Sequence, residues 1–486
     1  MGKREAPILK NIIHYSASHY FRQFLSILTA FIRPKLLSPE YFGLWNLMKT
    51  IQTYAAYSHM GARSSMRYQI PFHLARNEKK EINQIKGAAF WGAFFINGVI
   101  ALFLLFSAFL DRFDLIERIG LLSFAFIVLL QGYCEYKIAL LKSYQAFKGI
   151  SRANYIQYTL MFLSTICFIW FWGIIGAFFS LIFSLGIMAL YFKIKAPENE
   201  TLNFNPTIFI KLVRYGFPIL MFNIITILIR TSDRILVSSL IGMEALGHYS
   251  IAIMILGFLM NVPGVSREII EPKIMEQKGQ RASEIWMREY FIQPAINTAY
   301  LMPLLIGGVF FFLPFFIKMV LPAYEAGIVP AHILLAGGYF LALSYTVRGV
   351  IVAMDLQLQA AWVMMIALFV NVVAGILFIR ADFGISGIAL GSSLSFGVLW
   401  ISQLIFLCMK DLILKNLIVS HLLSLGLPFL AMLLSIELIQ YICAALPITN
   451  ELIAALVKLI FFFGIWLALM WIKKDTHTVM NRFSAK

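Results

Sequence analysis

Charge is scarce in this chain. Only 13% of its 486 residues are Asp, Glu, Lys or Arg, about half the ~25% usual in soluble domains. No polar stretch reaches the roughly 50 residues that the smallest soluble domain needs. Acidic groups are scarcer still, 24 against 40 basic ones, for a net charge of +16. In a soluble protein that excess would suggest nucleic acid, but in a membrane chain basic residues anchor cytoplasmic loops, so no nucleic-acid partner is expected. The four cysteines, Cys134, Cys167, Cys408 and Cys443, lie scattered without paired spacing, which argues against a disulfide framework or a metal site. His-Glu-x-x-His, Gly-x-x-x-x-Gly-Lys-Ser/Thr and Cys-x-x-Cys are missing, so the chain is read as a non-enzyme without its own ATP site. The ten-residue alternation of a lipid-spanning barrel is missing too.

Hydrophobic length is what the chain has instead. Sixty per cent of residues are hydrophobic, mean hydropathy is +0.81, and apolar runs of about 18 residues or more recur, each able to cross a hydrocarbon core of roughly 30 Å. About fourteen spans are expected, over 12–33, 41–62, 86–109, 119–141, 154–172, 175–194, 215–239, 244–265, 293–318, 330–353, 360–380, 384–409, 418–444 and 452–472. The fold class is therefore an all-α polytopic membrane protein. The first span is too polar, with His14, His19 and Arg22, for a signal-peptide apolar region, so it is expected to be retained.

Loop charge alternates. Arg63, Arg67, Arg76, Lys79, Lys80 and Lys86 fall on one side with Lys142, Lys148, Arg152, Lys193, Lys195, Lys211 and Arg214. Arg267, Lys273, Lys278, Arg281, Arg288, Lys410, Lys415 and the tail Lys473, Lys474, Arg482 and Lys486 follow on that side. The opposite connections carry few: Arg33, Lys35, Arg112, Arg118, Lys318 and Arg380. The positive-inside rule places both termini in the cytoplasm and demands an even number of spans.

Two turns recur. Leu36-Leu37-Ser38-Pro39-Glu40-Tyr41-Phe42-Gly43-Leu44-Trp45-Asn46 parallels Leu240-Ile241-Gly242-Met243-Glu244-Ala245-Leu246-Gly247-His248-Tyr249-Ser250. Trp172-Gly173-Ile174-Ile175-Gly176-Ala177 parallels Phe383-Gly384-Ile385-Ser386-Gly387-Ile388. Offsets of roughly 204 and 211 residues point to a six-helix unit used twice. That divides the chain into bundles 1–200 and 201–412 and two added helices in 413–486. Six is even, so the two pseudo-symmetric bundles share orientation.

A charge at membrane depth costs on the order of 3 kcal/mol or more and so faces a wet cavity or a partner. Arg22 lies about ten residues into the first span, roughly 15 Å deep, and Lys49 is similarly deep in the second. An internal ion pair would need a carboxylate, and these two spans offer none nearer than Glu40. Both basic residues are therefore candidate ligands for an anionic cargo. Arg230, Asp233 and Arg234 share one face of the seventh span at i, i+3 and i+4, so Asp233 can neutralise one arginine and leave the other available. Asn46 and Asn223 are candidate hydrogen-bond donors, or simple helix glue.

Together the span count, the Leu-Ser-Pro-Glu-Tyr-Phe-Gly turn at 37–43 and the Asp-Arg-Ile-Leu…Leu-Gly-His-Tyr-Ser-Ile-Ala stretch at 233–252 resemble the oligosaccharidyl-lipid and polysaccharide flippases. These belong to the multidrug/oligosaccharidyl-lipid/polysaccharide exporter superfamily, and the likeness is strongest to O-antigen flippases of lipopolysaccharide biosynthesis. The resemblance implies two bundles in a V around a central cationic cavity, in a bacterial inner membrane. It implies a polyprenyl-pyrophosphate-linked glycan moved to the outer leaflet by alternating access, with membrane lipids, a polysaccharide polymerase and chain-length machinery as partners. Carried onto this chain, Arg22, Lys49 and Arg230 or Arg234 become pyrophosphate contacts. No cofactor is expected beyond a proton or sodium gradient, for which Asp233 is the candidate site. The drug-exporting branch tends to carry an acidic residue in its first helix; this one has Arg22. A lipid II type flippase, a drug/cation antiporter and a membrane glycan polymerase or ligase stay open as alternatives.

Overall fold

The computed structural model describes residues 5–195, 203–265, 267, 291–410, 418–445 and 450–484. Lys273, Lys278, Arg281, Arg288, Lys415 and Lys486, assigned above to one side of the membrane, lie outside them. The described residues are helical and turn segments without a strand. Eleven of the helices are long and apolar enough to cross a membrane. Phe103, Phe106, Trp170, Phe171, Phe369 and Tyr441 are each more than half exposed. Apolar surface on that scale would be a liability in water and is what a lipid-facing wall requires. This is a multi-pass membrane protein.

The chain forms two compact units, Met1–Ile227 with Gly242–Gly247, and Leu228–Ile241 with His248–Lys486. In the first, α1 (Glu5–Leu36) packs along α6 (Phe147–Lys195), and α4 (Lys79–Ala108) along α5 (Leu115–Ser143), which also meets α6. Between α1 and α4 come α2 (Pro39–Ala55) and the short α3 (Ala62–Ala75). Met66 and Ile70 of α3 are fully buried with Ala88 and Ala89 of α4, Tyr136 of α5 and Leu212 of α7 (Pro206–Leu240). Next come α8 (Met243–Leu259), α9 (Gln293–Val320), α10 (Ile328–Ala353), α11 (Gln357–Arg380) and α12 (Gly384–Met409). In the second unit α12 packs on both α10 and α11. The last two helices, α13 (Ile418–Ala444) and α14 (Glu451–Ser484), pack against α9. There the Trp466 indole N–H donates to the Tyr300 carbonyl at 2.7 Å and Lys318 pairs with Glu451 at 2.7 Å.

One sequence expectation changes. The span read as 41–62 ends at Ala55, and a bend over 56–61 leads into α3. Met60 and Gly61 there have φ of 48° and 89°, which no helix continues through. Gly61 also lies so close to Gly216 of α7 that a Cβ would overlap its backbone. Spans 154–172 and 175–194 stand as the two arms of one hairpin, α6, reversed at a single residue, Gly173, with φ 55° and ψ −134°. The arms meet through Thr165 Oγ1 and Ser180 Oγ at 3.3 Å and through the Phe168 and Phe183 rings.

The recurring turns share geometry. Gly173 and its counterpart Gly384 have φ of 55° and 53°. Gly176 and its counterpart Gly387 each press on the preceding helical segment, at Phe168 and Phe378 respectively. The other recurring pair, Gly43 and Gly247, meet within the first unit. A Cβ on Gly43 would strike the Met243 carbonyl, and one on Gly247 the Pro39 carbonyl. Pro39 and Met243 are themselves counterparts, so the contact is reciprocal. Ser38 caps α2, its Oγ accepting from the Tyr41 amide at 3.4 Å.

Candidate functional site

Polar residues on α1 recur at helical spacing inside an apolar helix. Arg22, Ser26, Thr29 and Arg33 stand at i, i+4, i+7 and i+11, one face of α1. All four line a cavity of about 420 Å³ within the first unit. α2 adds Lys49 and Gln52, α5 adds Gln131, Cys134, Glu135 and Ile138, and the first arm of α6 adds Gln157, Tyr158 and Met161. Leu181, Leu185 and Met188 from the second arm complete an apolar side. Ligand pockets run roughly 300–1,000 Å³, and this one falls within that range.

The wall carries three cations, Arg22, Arg33 and Lys49, against one carboxylate, Glu135. That carboxylate is already committed. The Arg63 guanidinium, 6% exposed, pairs with Glu135 and also donates to the Ala56 carbonyl, and the Gln131 amide donates to the other Glu135 oxygen. Of the cations, Arg22 lies 3.2 Å (Nη2) from His19 Nδ1, with its guanidinium 5.7 Å from the Tyr158 ring centroid. Lys49 donates to Gln52 Oε1 at 2.6 Å and lies 6.0 Å from the Trp45 ring. Arg33 stacks on the same ring at 4.4 Å, 8% exposed, and its Nε and Nη2 have no hydrogen-bond partner. Trp45 is held in turn by Phe124 and Phe178. A cation over an indole recovers up to about 2 kcal/mol, less than the several kcal/mol per ion that burial costs. The site is therefore left positive and receptive to an anion.

Arg22 and Lys49 line the same cavity. Asn46, also on α2, gives its amide N–H to the Phe42 carbonyl at 2.8 Å, a bond within its own helix. Asn223 lies half-buried on α7 in the first unit. Arg230, Asp233 and Arg234 belong to the second unit. There Arg230 Nη1 donates to Tyr345 Oη at 3.0 Å. Asp233, 3% exposed, accepts from Tyr249 Oη at 2.9 Å and from the Arg234 amide at 2.7 Å. Beside it Ser232 donates to Asn371 Oδ1 at 3.1 Å, and the Asn371 amide donates to the Ile229 carbonyl and to Ser392 Oγ.

Four things escape a span-by-span reading. Arg33, assigned above to a connection, is buried in α1, which runs on to Leu36. Arg63, assigned to a loop, is buried against Glu135. Glu135 and Gln131 sit in the fourth span, where a carboxylate inside an apolar run was itself a signal. Gln157 and Tyr158 carried no comparable mark. The spacing Arg22-Ser26-Thr29-Arg33 was the readable clue to the α1 face.

Residues 33–272 match the family model described as "Polysaccharide biosynthesis protein", just under half the chain. A lipid II flippase, MurJ, in an inward closed conformation superposes with a TM-score of 0.71 at 15% identity, covering 95% of this chain and 100% of that one. The two chains share a fold along nearly their whole length. An inward-facing multidrug resistance transporter of the MOP superfamily gives a TM-score of 0.63 at 14% identity, over 84% of this chain and 99% of that one. Another MOP superfamily transporter, from Pyrococcus furiosus and described by the reverse polarity of its binding pocket, gives 0.53 at 13% identity, over 83% and 95%. No curated protein matches the chain. The family match and the fold likeness agree with the resemblance read from the sequence.

Proposed function

We propose that the protein is a flippase. It moves a polyprenyl-pyrophosphate-linked oligosaccharide, an O-antigen or other polysaccharide repeat unit, from the cytoplasmic to the outer leaflet by alternating access. One observation carries this reading: the first-unit cavity presents three cations while its only lining carboxylate is bound to Arg63. In the proposal Arg22 and Lys49 hold the pyrophosphate, with Arg230 or Arg234 as further contacts. The lipid tail stays in the bilayer, which avoids taking each unpaired polar group through hydrocarbon at a cost of roughly 4–8 kcal/mol. Fourteen passes, bundles 1–200 and 201–412, the added helices of 413–486 and both termini in the cytoplasm of a bacterial inner membrane belong to the same proposal. Asp233, buried beside Tyr249, Ser232 and Asn371, is its candidate proton or sodium site. No chemistry is done on the cargo, and the polymerase and chain-length machinery act downstream.

The test is the fate of lipid-linked intermediates in a deletion strain complemented by Arg22→Glu or Lys49→Glu. Complete repeat units should accumulate on the cytoplasmic face although each variant is inserted normally. Translocated but unpolymerised units would instead make the protein a polymerase, and altered drug tolerance with normal glycan an antiporter. A lipid II type precursor is the second reading, favoured by the 0.71 superposition on a lipid II flippase. Loss of peptidoglycan precursors in place of glycan from the outer leaflet would select it.

A further inference from the structure

Arg33 is the lining cation to which the flippase reading gives no task. It follows Arg22 by eleven residues on the same face of α1, three turns or roughly 16 Å along the axis. The two guanidinium groups rest on different rings, Arg22 on Tyr158 and Arg33 on Trp45. Lys49, which shares the Trp45 ring with Arg33, has its ammonium on Gln52 Oε1. Glu135 has its oxygens on Arg63 and Gln131. Arg33 alone is more than nine-tenths buried with two nitrogens, Nε and Nη2, that nothing satisfies. Those two nitrogens are the edge of the guanidinium fork that takes a planar carboxylate through two parallel hydrogen bonds. The cavity it lines also holds groups that suit a sugar: the Gln52, Gln131 and Gln157 amides, Ser26, Thr29 and Tyr158.

We propose that Arg33, held flat on Trp45, is a second anion position that reads a carboxylate on the sugar part of the cargo, so that the transported glycan is an acidic one. The inference rests on the flippase reading, which supplies the sugar, but uses a different residue from the pyrophosphate contacts. It explains why the side chain stacked at 4.4 Å on the indole is an arginine: a planar cation stacks and still presents its edge, whereas an ammonium is a point charge. It also explains why the positive charge of the cavity is spread along α1 and not gathered at one place.

The experiment is calorimetric titration of the purified full-length protein with sodium glucuronate, glucose, acetate and inorganic pyrophosphate. The expected result is that glucuronate binds at least tenfold more tightly than glucose or acetate and does not compete with pyrophosphate. Arg33→Gln should remove that preference and change pyrophosphate affinity less than twofold, while Arg22→Gln should do the reverse. Arg33→Lys, which keeps the charge and loses the fork, should retain weak glucuronate binding without preference over acetate, and serves if Arg33→Gln does not fold by thermal melting. Equal binding of glucuronate and acetate, competition with pyrophosphate, or a preference that survives both Arg33 variants would overturn the proposal. Failure of Arg22→Gln and Lys49→Gln to weaken pyrophosphate, with glucuronate binding still dependent on Arg33, would instead strike the flippase reading alone.

Discussion

Both units bury charged side chains in helices that are otherwise apolar, yet they handle them differently. In the first, Arg22, Arg33 and Lys49 line a cavity whose one carboxylate is spent on Arg63. In the second, Asp233 receives the Tyr249 hydroxyl, Arg230 donates to Tyr345, and Ser232, Asn371 and Ser392 bond to one another. The first arrangement keeps a surplus of donors for something that enters. The second closes a polar network on itself, and such networks rigidify a core when their members are satisfied. The same residue types thus line a cavity in one place and bond to one another in the other, according to what the neighbouring helices bring.

The contrast can be broken most severely at the cavity. Charge reversal by Arg22→Glu or Lys49→Glu should cut glycan export at least 100-fold, since losing a charge-assisted contact and adding repulsion costs about 3 kcal/mol or more, with membrane insertion unchanged. Lipid-linked intermediates separated by leaflet give the readout. A smaller effect is expected in the second unit, and it separates two roles. Asp233→Ala leaves the Tyr249 hydroxyl without its acceptor and should cost about 1–3 kcal/mol of stability, visible as a lowered melting temperature. Asp233→Asn keeps an acceptor for Tyr249. If Asp233 binds a coupling ion, Asp233→Asn should melt near the wild type and still lose transport, and an active Asp233→Asn protein would leave it as a joint only.

Finer tests use glycine and asparagine. Gly43→Ala or Gly247→Ala places a Cβ against a backbone carbonyl and should destabilise by about 1–3 kcal/mol. Gly98→Ala in α4 meets open space and should be neutral or stabilise by up to about 1 kcal/mol. Paired thermal melts compare them directly, and equal effects would show that the reciprocal turn contact carries no strain. The smallest change is expected from Asn46→Ala. It removes only a bond back to Phe42 and should leave export within about twofold, as the loss of a local side-chain bond worth around 0.5 kcal/mol would.

Arg22 and Lys49 were readable because a lone charge in a long apolar run is conspicuous without any knowledge of packing. The turns at Gly173 and Gly384 were readable because a helical reversal in so few residues needs a left-handed φ, and their values of 55° and 53° agree. Arg33 was not, because it falls where a hydropathy window places the end of a span, and loop and helix charges look alike there. Arg63 was misplaced for a related reason: it follows a bend that no apolar period announces, and Glu135 lies 72 residues further along the chain. Gln157 and Tyr158 are ordinary helix residues until α6 is laid along α1.

Composition and hydrophobic run length alone settled that this chain lives in a bilayer as helices, because backbone groups in lipid have no other way to satisfy one another locally. Placement of the basic residues along single helix faces was likewise written in the primary structure through the 3.6-residue turn. Which charges remained available was decided only by tertiary packing. Whether Glu135 neutralised the cavity or Arg63 claimed it depended on how α3 and α5 met, and the bend at 56–61 set that meeting. A buried charge takes its meaning from the partner within reach, and reach is a property of the folded chain.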